Sequence, residues 1–554
     1  MSGHVYEVLA DVVWREGVRD CFALLGDANM HFATVLEARG CRMIHVRHEH
    51  NATSASMAYA RACARKGGGG VGVSTVTCGP GLTQLMTALP AAARARIPLV
   101  VIAGEAPLGK LWYNQEIDQA PFVRAAGAHY VPIHEAGTLP TRVRDAFLLA
   151  RTERVPVVVS VPFDLGESAW TGGAERPVPS RDLLPDLASL PPAEADLARA
   201  AAAIDAAERI VVMGGLGARE AGPALRALAE RCGALTATTL PARGLFHDDP
   251  WSLHVAGGFS HVAARRCFQE ADLVIAAGAS LASHNADAGK LWARAQLLQI
   301  DTAPVAVAQG RVAANLHLRA DARLAAEALA ERVRPRTGWR TGETRTLIAD
   351  TAVDDARFPP QPGAHDPRDA VAALDRAVPK DWHCVNSSGH CSFFAAHMYG
   401  RPAERFHTIR EFGAIGNGLA YAMGVAAAHP DERVVLFDGD GSVMMHVQEL
   451  DTMRRENMNV AVVVLNDRAY GSEIHKLRAD GLSDGGAVFG ATDFAAIARG
   501  FGVAGHAVDD LGSLDALVSE WHGGPVVWDV PINDRVASPV IQRAHPQIMA
   551  VAAE

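Results

Sequence analysis

Short runs of β-branched and aliphatic residues alternate along the chain with Gly-bearing loops and with stretches whose apolar positions recur at helical spacing. That alternation predicts an α/β fold of three domains, each a parallel sheet flanked by helices. The first block, residues 1–170, opens on a helical period (Val5, Leu9, Val12, Val13) that stops near Gly17. Strand-like runs follow at 21–25, 43–46, 70–76, 98–103 and 155–161. The second block, 193–333, carries buried-strand runs in ERIVVMGG, ALTATT, ADLVIAAG and LLQID. The third, 368–554, carries them at 383–386, 434–437, 460–465 and 526–530. Its Ala- and Gly-rich stretch 413–428 reads as a loop entering a tightly packed helix. Pro- and Gly-rich sequence near 171–192 and polar, Pro-rich sequence at 334–367 read as linkers. The first and third blocks are of similar size, which permits a pseudo-symmetric pair.

Composition narrows the classes. The 554 residues carry 52 Lys+Arg against 62 Asp+Glu, a net charge of −10, scattered without a basic stripe. Phosphate neutralisation on nucleic acid is not expected of such a chain. The most apolar stretch, 88–104, is broken by Arg94 and Arg96, so no membrane span is expected. The N-terminus lacks a charged-then-apolar signal pattern. Eight dispersed cysteines with no C-x-x-C pair read as reduced core thiols of a cytoplasmic protein.

Chemistry concentrates in the third block. FDGDGS, 437–442, follows an apolar strand; a helical stretch and a second apolar strand end in LNDRAYG, 465–471. Two parallel strands bring their C-terminal ends to one edge, where α/β sheets bind ligands. Asp440 and Asp467 then offer hard oxygen ligands of the kind magnesium takes beside phosphate. Gly439 and Gly441 allow backbone N–H groups to approach a phosphate, and Ser442 adds a hydroxyl. Other glycines read differently. GGLGARE, 214–220, is a weak nucleotide signal and more readily a tight turn. The run 67–70 reads as a turn between helix and strand, since no Gly-Lys-Ser/Thr follows.

The pairing of GDGS with LNDRAYG resembles the cofactor signature of thiamine diphosphate-dependent enzymes of the acetolactate synthase, pyruvate decarboxylase and benzoylformate decarboxylase type. VRHEHNATSASMAYAR, TCGPGLTQLMTAL, NQEIDQ and FGAIGNGLAYAMGVA resemble further segments of that family, over nearly the whole chain. The resemblance implies pyrimidine-binding, central and diphosphate-binding domains, with thiamine diphosphate and Mg²⁺ as cofactors. It implies that Asp440, Asp467 and the Ala469 carbonyl ligate magnesium. It places Gly79, His390, Ser392, Tyr470 and Gly471 around the cofactor and Ile415 beneath its bend. Glu49 falls where the family holds the glutamate that activates the aminopyrimidine ring, a task suited to a carboxyl in a dry pocket. The competing reading is an exposed glutamate favoured by the helix dipole. His50 stands where the family commonly has glutamine.

Gln115 falls where carboligating members have a glutamine near the reacting carbon. Glu473 falls where pyruvate decarboxylases have a proton-handling glutamate, although the histidine pair of those enzymes is absent from WYNQE. Asp27, Ala28 and Asn29, with His31, resemble a substrate-contacting loop, and a structural turn is an equal reading. GASLASHNADAGK lacks the flavin-contacting arginine, so FAD is not expected. The function expected is decarboxylation of a 2-oxo acid and ligation of the resulting enamine to a carbonyl acceptor. The alternatives are simple decarboxylation, lyase action on a 2-hydroxy ketone or 2-hydroxyacyl thioester, and a non-catalytic subunit of the same fold. A homodimer or homotetramer with the site at the chain interface is implied.

Overall fold

The computed structural model describes residues 3–64, 70–303 and 310–548. Three six-stranded sheets organise them. The first holds β1 (Asp20–Ala23), β2 (Arg42–His45), β3 (Gly72–Val76), β4 (Leu99–Glu105), β5 (His129–Pro132) and β6 (Pro156–Pro162). The second holds β7 (Ile210–Gly214), β8 (Leu235–Thr238), β9 (Ser252–Val255), β10 (Leu273–Ala277), β11 (Gln296–Asp301) and β12 (Leu316–Arg319). The third holds β13 (His383–Asn386), β14 (Phe406–Thr408), β15 (Val434–Gly439), β16 (Val460–Asn466), β17 (Ala504–Ala507) and β18 (Val526–Pro531). Every pairing between these strands is parallel. Helices cover both faces, which is why central strands such as β6 and β16 read as unbroken apolar runs.

The first and third sheets share one topology. Their orders are β2-β1-β3-β4-β6-β5 and β14-β13-β15-β16-β18-β17. The second is ordered β12-β11-β10-β7-β8-β9 and reverses direction between β10 and β7. The GGLGARE glycines sit at that reversal. A Cβ on Gly215 would lie 2.3 Å from the Gly278 carbonyl oxygen, so glycine here lets the turns after β7 and β10 touch. The linker expected at 334–367 is not uniformly irregular. It contains the helix Gly342–Asp350, whose Ile348 and Leu347 pack onto the second sheet's cluster. Of the run 67–70, residues 67–69 lie outside the described residues. No described helix is long and apolar enough to cross a membrane.

A pair of helices joins the first sheet to the third. The helix Glu49–Ala64 and the helix Gly418–Ala428 pack face to face, and all eleven residues of the second are buried. Both are rich in small residues, so their backbones approach closely. A Cβ on Gly424 would fall 2.1 Å from the Ala55 carbonyl oxygen. Polar clamps surround the pair. Arg42 Nη2 donates to the Ala427 carbonyl at 2.8 Å, and Arg61 Nη1 to the Thr408 carbonyl at 2.8 Å. Arg47 Nε donates to Asp451 Oδ2 at 2.8 Å.

Candidate active site

The C-terminal ends of the parallel strands carry the candidate residues. Asp27 follows β1, Glu49 follows β2, Gly79 follows β3 and Gln115 follows β4. In the third sheet His390 follows β13, Ile415 follows β14, Asp440 follows β15 and Asp467 follows β16.

Asp440 and Asp467 are brought together, and both are buried. Burial raises the Asp467 pKa well above the carboxylate range, and the neighbouring Asp440 carboxylate raises it further. Burial likewise raises Asp440. Two carboxyls that repel and are dry form the donor set that a hard divalent cation relieves. The backbone between them is shaped for this. Arg468 adopts a left-handed φ of 64°, and the Ala469 N–H donates to Asp467 Oδ1 at 3.3 Å. A Cβ on Gly471 would sit 2.2 Å from Asp467 Oδ2, and one on Gly441 2.7 Å from the Tyr470 ring. Gly439 has ordinary room beside Cys391. Ala469 is buried, and Tyr470 is edge-on to Phe489 at 4.5 Å.

Three of the expected cofactor contacts also make hydrogen bonds within the fold. The Ser442 hydroxyl donates to Asp438 Oδ2 at 2.9 Å and accepts from the Gly416 N–H at 2.8 Å, tying the end of β15 and the helix after it to the loop before Gly418. The Ser392 hydroxyl donates to the Gly389 carbonyl at 2.6 Å and closes its own turn. His390 is buried, its Nε2 accepts from the Ser538 N–H at 3.0 Å, and burial pulls its pKa well below the usual imidazole value. Asp438, which the sequence reading passed over, anchors this network. Burial pushes it up to about 7, and a Cβ on Gly418 would meet its Oδ2. Its place in FDGDGS was the available signal. Ile415 is half-buried and leans over Gly389, with Cγ2 3.7 Å from the position of a Cβ there.

Glu49 is the first residue of its helix and is half-buried rather than fully exposed. Its Oε1 lies 3.7 Å from the position of a Cβ on Gly81, so it faces the GPG loop. The next residues fasten it to the third sheet within one chain. His50 Nε2 pairs with Asn417 Oδ1 at 2.5 Å, and Asn51 Nδ2 donates to Glu449 Oε1 at 2.8 Å. The His50 ring stacks on His446 at 5.1 Å. His50 is therefore an inter-domain fastener, and burial lowers its pKa.

Gly79 has φ 54° and ψ −107°, and a Cβ there would strike the Gln115 carbonyl at 2.1 Å. The GPG loop and the Gln115 loop thus pack directly. Gln115 Oε1 accepts from Cys78 Sγ at 3.4 Å. Gln119, unnoticed in the sequence, is the buried anchor of this loop. Its Oε1 accepts from the Gly79 N–H at 3.0 Å, and its Nε2 donates to the Gly104 carbonyl and Ser160 Oγ.

Two other candidates have contacts of their own. The Glu473 side chain is 54% exposed and pairs with Lys476 Nζ at 3.4 Å. Asn29 is a turn former: Nδ2 donates to the Leu24 carbonyl at 3.0 Å and Thr75 Oγ1 at 3.2 Å, while Oδ1 accepts from the Gly26 N–H. Asp27 and His31 are exposed, and with Ala28, Asn29 and Phe163 they line a cleft.

Comparison with known proteins follows the same division. The C-terminal TPP binding domain of thiamine pyrophosphate enzymes matches residues 387–530, the N-terminal TPP binding domain 3–122, and the central domain 197–329. The acetolactate synthase large subunit of Parasynechococcus marenigrum is 30% identical over 530 residues, covering 91% of this chain and 83% of that protein. Acetolactate synthase 2, chloroplastic, of Zea mays is 30% identical over 479 residues, covering 84% and 74%. Probable acetolactate synthase 2, chloroplastic, of Oryza sativa subsp. japonica is 29% identical over 563 residues, covering 95% and 82%.

Proposed function

The chain belongs to the thiamine pyrophosphate enzyme family, and we propose that it decarboxylates a 2-oxo acid and joins the remaining acyl unit to a carbonyl acceptor. The observation that carries the choice of carboligation is the contrast between Gln115 and Glu473. Gln115 is packed on the loop that Glu49 faces, whereas Glu473 in the single chain is exposed and paired with Lys476. Relatives named as acetolactate synthases support the same class.

In this reading thiamine diphosphate supplies the electron sink for breaking and making the carbon–carbon bond. The protein's residues do the rest. Asp440 and Asp467, with the Ala469 carbonyl, would hold Mg²⁺, whose positive charge would offset that of the diphosphate. The backbone of Gly439, Gly441 and Gly471 gives that group room. Ile415 supports the cofactor from beneath. Glu49 holds a proton at the aminopyrimidine ring, and Gln115 orients the acceptor carbonyl. Asp27 and Ala28 border the substrate entrance. No flavin takes part, so flavin-free protein is expected to be fully active.

The assembly is a homodimer or homotetramer whose contacts complete the site. What supports this is apolar surface beside the candidate loops. Leu111 and Trp112 are 107% and 75% exposed, and Met444, Met445, Tyr470 and Phe489 are exposed near Asp440. A cytoplasmic location fits eight cysteines none of which forms a disulfide.

The test is product analysis by NMR. Protein loaded with thiamine diphosphate and Mg²⁺ is given pyruvate and a panel of larger 2-oxo acids. Carbon dioxide with a coupled hydroxy-ketone product is expected. Free aldehyde as the main product would replace the proposal by simple decarboxylation.

A further inference from the structure

Arg410 lies on the loop between β14 and the helix Gly418–Ala428, five residues before Ile415. Its guanidinium sits 5.1 Å from the Phe259 ring centroid and 5.5 Å from that of Phe393. Phe259 comes from the turn Gly257–Phe259 of the second sheet, and Phe393 from the helix Cys391–Ala395 directly after His390. The two rings fix the plane and aim of the cation. Yet Nη1 is buried and has no hydrogen-bond partner. Among the described residues no carboxylate forms an ion pair with it. Its neighbour Glu411 is engaged elsewhere, accepting from Arg61 Nη2 at 3.0 Å and from the Arg410 backbone N–H at 2.8 Å.

A buried guanidinium N–H group without an acceptor is costly, and proteins satisfy such groups with a carboxylate or a ligand anion. The surroundings indicate a ligand. Arg410 lies near the buried thiol of Cys391. Cys391 Sγ in turn lies 3.5 Å and 3.9 Å from the positions of Cβ atoms on Gly439 and Gly389. The cation therefore borders the loops that carry Asp440 and Ile415, at the seam between the second and third sheets.

We propose that Arg410 is an oxyanion-binding residue of this site, taking a phosphate or carboxylate oxygen of a molecule bound at the third sheet's edge. The inference rests on the reading of that edge as the cofactor site. Two sources share the chemistry: the cofactor's diphosphate, and a carboxylate of the substrate. A planar guanidinium suits either through paired N–H donors.

The experiment compares wild type, Arg410→Gln and Arg410→Lys, using the full chain. Calorimetry gives the dissociation constants of thiamine diphosphate and of inorganic pyrophosphate with Mg²⁺. On cofactor-loaded protein it gives those of 2-oxoglutarate and 2-oxobutyrate, which differ by a carboxylate. Thermal midpoints check that each variant is folded. Tenfold or greater weakening of both diphosphate ligands in Arg410→Gln, partly restored in Arg410→Lys, assigns the residue to the cofactor. An unchanged cofactor constant, with tenfold loss confined to the dicarboxylate, assigns it to the substrate. Unchanged constants in all four titrations of a folded Arg410→Gln would overturn the proposal. Asp440→Ala, checked for folding in the same way, is titrated beside them. If that variant also binds thiamine diphosphate as wild type does, the reading of the edge itself has failed.

Discussion

Asp440 and Asp467 set the strongest constraint at the scale of single residues. Both are raised by burial, and Asp467 further by its partner. Cation binding requires both ionised, so protons compete with the metal. Mg²⁺ affinity, read by calorimetry with thiamine diphosphate present, should fall as pH drops from neutrality, by up to about tenfold per unit for each proton displaced. Asp467→Asn should weaken Mg²⁺ binding and flatten that dependence. A slope equal to wild type would remove Asp467 from the ligand set. Glu473 gives a second discriminator. With its side chain exposed and paired to Lys476, Glu473→Gln should change turnover by less than about threefold and leave the product ratio alone. Loss of the 10²–10⁴-fold contributed by a general acid would instead put it in the chemistry. Much of this was legible as DGD and ND at strand ends. For Asn29 the sequence left turn and substrate contact as equal readings, because a substrate-binding amide and a turn-forming amide are the same residue type.

Among the elements, the contact between helices Glu49–Ala64 and Gly418–Ala428 determines where Glu49 stands. Gly424→Val should lower the thermal midpoint, by the equivalent of about 1–3 kcal/mol, because its side chain must displace the Ala55 backbone. A midpoint within a degree of wild type would mean that the two helices do not pack this closely. Central strands were readable as apolar runs because both of their faces are covered. Five edge strands were not. His129–Pro132, Ser252–Val255, Leu316–Arg319, Phe406–Thr408 and Ala504–Ala507 are short. They carry histidine or glycine in place of repeated β-branched residues and pair on one side only. The helix Gly342–Asp350 was hidden because its flanks, RPRTGWRTG and FPPQPG, have linker composition.

For the whole molecule, the exposed apolar residues beside the candidate loops call for a cover. Mass photometry should find a dimer or tetramer, and Leu111→Asp with Trp112→Arg should shift it toward monomer and reduce activity. A wild-type monomer with full activity would mean one chain suffices. The shared strand order of the first and third sheets was suggested by block size alone, since no repeated sequence marks it; topology is conserved by packing rather than by residue identity. We propose that the edges of these two sheets form one thiamine diphosphate site with Glu49 as its activating carboxyl. Exchange of the bound cofactor's C2 proton for deuterium, followed by quench and NMR, tests it without knowledge of the substrate. Glu49→Gln should retain the cofactor and slow exchange by at least about 100-fold relative to wild type. Equal exchange rates in the two proteins, both with cofactor bound, would contradict it.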